Sequence, residues 1–172
     1  MSRLSSGNNT PALAHKQSAM EFSFESYITG FVDGDGTFSV SFNERSGLKT
    51  GVEVRPSFSI SQNKRSFDVL EQIRLYFQCG GIRFSKADQC YKYEVRSVRE
   101  LVEKIIPHFD CYPLRTSKRE DFERFKVICL SMRRNLHLND AHLRQMIKSA
   151  FQMNPSGKRR VDQDRLLKRI AR

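Results

Sequence analysis

The sequence predicts an α+β fold with antiparallel strand pairing. Three observations carry that reading. Apolar residues first recur every three to four positions, the period then drops to two, and this passage from a helical stretch to a pair of strands occurs a second time. A length of 172 residues suits one domain with a real core.

Ser23 is placed to cap a first helix whose apolar face is Phe24, Tyr27, Ile28, Phe31 and Val32. Glycines at 34 and 36 predict that this helix does not continue past Asp33. Phe38, Val40 and Phe42 then alternate with Thr37, Ser39, Ser41 and Asn43, as in a strand with one buried face. After a Gly-containing turn over 46–51, Val52, Val54, Phe58 and Ile60 alternate with Glu53, Arg55, Ser57, Ser59 and Ser61. Pro56 lacks a ladder donor, so this strand is expected at an edge or with a bulge. A second helix fits 66–77, and Gly80 and Gly81 stop it. Ile82 and Phe84, then Tyr91, Tyr93 and Val95, read as another hairpin. Further helices are expected at about 98–105, 119–133 and 139–153, with Pro107 and Pro113 marking the loop between the first two.

Composition divides the chain into a polar arm over 1–22, a core over 23–153 and a basic tail over 154–172. The arm has no apolar block of the secretory kind and reads as flexible, with a transit peptide as the alternative. In the tail, Asn154-Pro155-Ser156-Gly157 breaks the helix, and Leu166, Leu167 and Ile170 can still form one amphipathic helix face. No stretch has the roughly 18 consecutive apolar residues of a membrane helix, so a soluble protein with no membrane partner is expected. Cys79, Cys90, Cys111 and Cys129 are too irregularly spaced for a zinc pair and read as reduced, mostly buried thiols. The net charge of +11 and pI near 9.8 point to a polyanionic partner.

The sharpest local feature is Ile28-Thr29-Gly30-Phe31-Val32-Asp33-Gly34-Asp35-Gly36. Two carboxylates at the end of an apolar helix face the negative end of its macrodipole, a cost that a bound cation would offset. Hard cations such as Mg²⁺ favour carboxylate and carbonyl oxygens and keep waters and phosphates as further ligands. Plain Asp-Gly turns compete with this reading. A calcium loop beginning at Asp33 would require Gly where Phe38 stands. Gly30 also admits a simple packing role.

These nine residues resemble the LAGLIDADG motif of homing endonucleases. Gly30, Asp33, Asp35 and Gly36 match outright, Phe31 and Val32 keep the apolar character, and Ile28, Thr29 and Gly34 depart from it. The order of helices and hairpins from 23 to about 151 is similar to the family's αββαββα core. Pro107 to Leu114 with Thr116, Lys118 and Lys126 resembles a later family stretch, and Asn154 to Arg159 a family ending.

The resemblance implies a site-specific double-strand DNA endonuclease of the intron or intein homing type. It would cut a long near-palindromic site by metal-dependent phosphodiester hydrolysis, leaving short 3′ overhangs. Asp35 would be the metal-binding carboxylate, with the Gly34 carbonyl as a further ligand, Mg²⁺ as the ion, and Mn²⁺ or Ca²⁺ as substitutes in binding. Gln62 would order water near the scissile phosphate. Lys118 is the candidate basic residue, Arg115 the alternative, and Lys64 or Arg65 would contact the same phosphates. One motif implies a homodimer, with Thr29, Gly30, Phe31 and Asp33 at the helix pairing. An antiparallel saddle would meet DNA through Ser39, Ser41, Asn43, Arg45, Glu53, Arg55, Ser57, Ser59, Arg83, Ser85, Lys92, Glu94 and Arg96. Lys49, Lys86 and the tail would touch phosphates. The alternative function on this scaffold is a maturase that binds intron RNA and assists splicing.

Overall fold

Ser23 caps the first helix as expected, its hydroxyl accepting the Ser26 amide at 3.3 Å. The computed structural model describes residues 23–154 and 161–170, so the arm over 1–22 and Lys158 to Arg160 of the tail lie outside the described residues. Helix α1 (Phe24–Asp35) does not stop at Asp33 but runs through Asp35. Gly34 faces open space and takes a helical position without conflict. The stop is Gly36, whose amide bonds to the Val32 carbonyl and where an added Cβ would lie 2.5 Å from Val32 Cγ1. Both carboxylates of the motif are therefore held in the last helical turn.

Strand β1 (Gly36–Glu44) leaves α1 directly and pairs with β2 (Val52–Asn63) from Gly36↔Ile60 to Glu44↔Val52 without a break. With β3 (Gly81–Ser85) and β4 (Cys90–Val95) they form one antiparallel sheet in the order β1-β2-β4-β3. The expectation drawn from Pro56 needs correction, because β2 is central and carries no bulge. Strand β4 flanks only Phe58–Asn63, so Pro56 sits where β2 has β1 on one side and no strand on the other. Between β2 and β3, a 3₁₀ turn (Lys64–Ser66) opens helix α2 (Phe67–Phe77). That helix ends at Gln78 in the left-handed region (φ 49°). Gly80 follows at φ 69°, where a Cβ would meet the Glu94 carbonyl at 2.6 Å.

Pro107 does not mark a loop. Helix α3 (Val98–Glu100) passes through a π turn (Leu101–Ile105) into α4 (Ile106–Cys111), and Pro107 lies in the first turn of α4. An ordinary α-turn would drive the proline ring against the carbonyl four residues back, and the wider π turn relieves that clash. Helices α5 (Lys118–Arg133) and α6 (Asp140–Phe151) follow, and α7 (Gln163–Ile170) folds back with Leu166 and Ile170 buried.

The core lies between one face of the sheet and the helices. Phe38 is its centre, with ring centroids 5.2 to 5.3 Å from Phe58, Phe109, Phe122 and Phe125. All four cysteines are free. Cys79 and Cys129 are buried, and burial pushes both thiols up, whereas Cys111 is exposed. No helix among the described residues is long and apolar enough to cross a membrane. Among the described residues, no helix buries the sheet's second face, which carries polar residues in every strand.

Candidate active site

Asp35 is the last residue of α1 and is exposed. Because β2 runs antiparallel to the strand that leaves this helix, its far end returns to the same place. Gln62 there donates from Nε2 to Asp35 Oδ2 at 2.5 Å. From the other side comes Lys118, at the start of α5. Its ammonium donates to the carbonyls of Val32 (2.7 Å), Asp33 (3.0 Å) and Gly34 (3.2 Å). It thus caps the C-terminus of α1 with a positive charge, the placement the macrodipole favours. Burial pushes the Lys118 pKa below its ordinary value, while Asp33, Asp35 and Asp121 pull the other way. Asp35, Gln62, Lys118 and the Gly34 carbonyl are therefore one cluster. Arg115 reaches this region through its backbone amide, which bonds to Asp33 at 2.7 Å. Lys64 and Arg65 are exposed in the turn just past Gln62.

The remaining motif residues divide between outside and inside. Gly30 and Gly34 are exposed with free space around them, and Tyr27 and the half-buried Phe31 lie on the same flank of α1. Thr29 does not belong to that flank. It is 7% exposed, and its hydroxyl meets His108 Nε2 at 3.2 Å and the Tyr112 carbonyl at 3.1 Å. Helical geometry turns position 29 toward α4, where its hydroxyl is engaged within the chain. His108 also meets the Tyr76 hydroxyl through Nδ1 at 3.0 Å, and burial pushes its pKa down to about 4. Asp33 likewise bonds within its own chain. Its carboxylate takes the Arg115 amide, the Thr116 amide at 3.3 Å and the Thr116 hydroxyl at 2.7 Å, tying α1 to the loop before α5. Burial pushes the Asp33 carboxyl up, but Thr116, the two amides and Lys118 together outweigh it and hold the carboxyl below its ordinary value. Nothing in the sequence signals this clasp, because its partners are more than eighty residues apart.

The polar face of the sheet carries the residues that alternation placed there. Ser41, Asn43, Arg45, Arg55, Arg83 and Arg96 are exposed, and Ser39, Glu53, Ser57, Ser85, Lys92 and Glu94 are partly so. Ser59 shares the face but is only 5% exposed, so it lies in the floor of the sheet and not on its accessible rim. Thr37 and Ser61 are exposed on the same face, near the Asp35 end. The face is cross-linked, with Ser39 and Ser57 hydroxyls 3.0 Å apart and Arg45 paired to Glu53 at 3.5 Å.

Among the described residues no three or more His, Cys, Asp or Glu side chains group together as a metal site. One chain offers a cation one exposed carboxylate and the Gly34 carbonyl. Both are hard oxygen donors that suit Mg²⁺ or Ca²⁺, and such a set leaves positions for waters and phosphate oxygens. The residues fit a divalent cation whose shell is completed from outside the chain.

Fold and site together define a LAGLIDADG scaffold: a motif helix that ends in an acidic residue beside an open antiparallel sheet. The LAGLIDADG endonuclease family matches residues 28–129, and the chain belongs to that family. It is 30% identical to the homing endonuclease I-ApeII of Aeropyrum pernix over 85% of this chain and 89% of that protein. The structure of the archaeal intron-encoded homing endonuclease I-Vdi141I in complex with DNA superposes with a TM-score of 0.79. The two are 31% identical over 86% of this chain and 94% of that one. The meganuclease I-SmaMI, bound to uncleaved DNA in the presence of calcium ions, matches at 30% identity and a TM-score of 0.74. That match covers 76% of this chain and 45% of I-SmaMI. The chain spans only 25% to 33% of three fungal intron-encoded relatives.

Proposed function

We propose that this chain, as a homodimer, is a divalent-metal-dependent endonuclease that cuts both strands of duplex DNA at one long, near-palindromic site, as in intron or intein homing. The observation that carries the reading is the meeting of Asp35, Gln62, Lys118 and the Gly34 carbonyl beside an open basic sheet face. Asp35 and the Gly34 carbonyl would hold the cation, Mg²⁺ in function with Mn²⁺ or Ca²⁺ able to replace it in binding. When bound, it would supply stabilisation of charge developing on the phosphate and a lowered pKa for a water. Gln62 fixes the rotamer of Asp35 and orients water with its remaining amide proton. Lys118 sets the Gly34 carbonyl in place and adds positive charge beside the attacked phosphate. One chain supplies one such centre. A second copy, docked through Tyr27, Gly30, Phe31 and Gly34, supplies the other, so each strand meets its own Asp35. The two-fold axis makes the site near-palindromic, and offset centres across the minor groove leave short 3′ overhangs.

A library of randomised duplexes incubated with the full chain and Mg²⁺, followed by sequencing of the cut ends, tests the reading. One enriched, roughly symmetric site with a fixed short 3′ overhang is expected. Asp35→Asn is expected to abolish cutting while binding in Ca²⁺ persists. Equal cutting by Asp35→Asn would overturn the assignment. The exposed Asp35 carboxylate beside Gln62 and Lys118 favours cleavage over a purely RNA-binding maturase role.

A further inference from the structure

Among the described residues, Glu94 is the one acidic residue within β3 and β4; it lies opposite Gly81 at the open end of their ladder, and its carboxylate is shared. Arg96 Nη2 lies 2.9 Å from Oε2, Arg83 Nε 3.7 Å from the same oxygen, and Lys92 Nζ 3.4 Å from Oε1. The exposures are graded. The Glu94 side chain is 10% exposed and that of Lys92 29%, whereas Arg83 and Arg96 are 58% and 57% exposed. Register explains why the carboxylate sits so deep. Glu94 is flanked by Ser59 on β2 and Gly81 on β3, two positions with little or no side chain, so it lies down between them. Its carboxylate is thus the least exposed of the four charged groups.

We infer that Glu94 does not read DNA itself but is a positioning and specificity-determining residue. It aims Arg83, Lys92 and Arg96 as a fixed comb and removes one unit of positive charge from the face. This inference rests on the proposed DNA-binding function and goes beyond it. A face with three cations and no internal counter-charge would hold any duplex through its phosphates, since counterion release carries no sequence information. With Glu94 present, the cations are already partly satisfied. They gain fully only where base-edge acceptors replace the carboxylate, as guanine does for arginine. Discrimination comes from raising the cost of the wrong partner as well as from improving the right one.

The test compares the full-length wild-type chain with Glu94→Gln, which keeps the shape and removes the charge, in Ca²⁺ on a random-sequence duplex and on the selected target. For Glu94→Gln, non-target binding is expected to tighten several-fold at low salt, and the slope of log K against log salt to steepen by about one. The target-to-non-target ratio is expected to fall by about tenfold. Arg96→Gln is expected to act in the opposite direction on non-target binding, and Glu94→Asp to restore part of the discrimination. Unchanged non-target affinity and slope, together with a loss on the target alone, would make Glu94 a direct base contact and overturn the inference. A wild-type chain that binds no duplex at all would instead sink the proposed function, so the two failures are told apart by the wild-type lane.

Discussion

Lys118 carries two tasks that a single substitution can separate. Its ammonium caps three carbonyls of α1 and lies beside Asp35. Lys118→Met keeps the aliphatic stem and removes the cap and the charge. A loss of about 1 kcal/mol in stability is expected, the size of a lost cap. The loss in cleavage rate should be larger, on the order of a hundredfold or more, because electrostatic groups at a reacting phosphate carry that weight. Denaturant melts and single-turnover cutting in Mg²⁺ would separate the two, and equal small losses in both would reduce Lys118 to a structural cap. His108 supplies a second prediction at this scale. With a folded pKa of about 4 against 6.5, it stays neutral in the fold while the unfolded chain takes up a proton. The unfolded state therefore binds more protons between those values. Stability is full above about pH 6.5 and falls as pH drops toward 4, by at most about 3 kcal/mol from this group. Replacing His108 with Gln should flatten the acid limb of a stability–pH curve; an unchanged limb would place its origin elsewhere. The motif residues Asp35, Gly34 and Gly30 were legible because a nine-residue pattern contains them. The partners of Thr29 were not, because His108 lies seventy-nine residues away.

At the scale of elements, the two periods of hydrophobicity read correctly along the chain, and the errors fell where a single residue decides a boundary. Gly34 looked like a helix stop and is not, whereas Gly36 is the stop because a Cβ there would collide with Val32. Pro107 looked like a loop and is absorbed by a π turn. Both outcomes depend on backbone geometry that residue type alone does not reveal. The α1–β1 junction is the more consequential, since it delivers Asp35 to Gln62. Gly36→Ala is expected to cost about 1–3 kcal/mol, as overpacking does. It should also slow cutting, because the junction must shift to accept the methyl group. Full activity with full stability would show that the contact relaxes freely. Helix α7 reinforces a different part of the frame. Arg165 pairs with Glu44 at 2.5 Å, and Arg169 donates to the Gly51 carbonyl at 3.2 Å, so the helix braces the turn of the β1–β2 hairpin. Leu166→Ala, at a fully buried position, should cost about 2–5 kcal/mol. Amide exchange should rise over 45–51 before it rises in the core.

At the scale of the whole molecule, the proposed function requires a second copy. The cation would find a single carboxylate and one carbonyl on this chain, and the exposed flank of α1 has the spacing of a helix-pairing stripe at Tyr27, Gly30, Phe31 and Gly34. The glycines there have open space where a Cβ would stand, which allows a second helix backbone to come close. Thr29 and Asp33 are committed within the chain, so the pairing proposed here rests on that narrower stripe. Gly30→Glu places a charge and five heavy atoms at the closest approach while leaving the monomer core untouched. Two like charges would face each other across the two-fold axis, and neither has a partner there. Sedimentation is expected to show a dimer for the wild-type chain and a monomer for Gly30→Glu, with an unchanged melting curve at low protein concentration. Double-strand cutting should be lost, because the two strands of one site need two copies of Asp35. A Gly30→Glu protein that remained dimeric would place the interface elsewhere on the molecule, and one that cut both strands as a monomer would remove the need for a partner copy altogether.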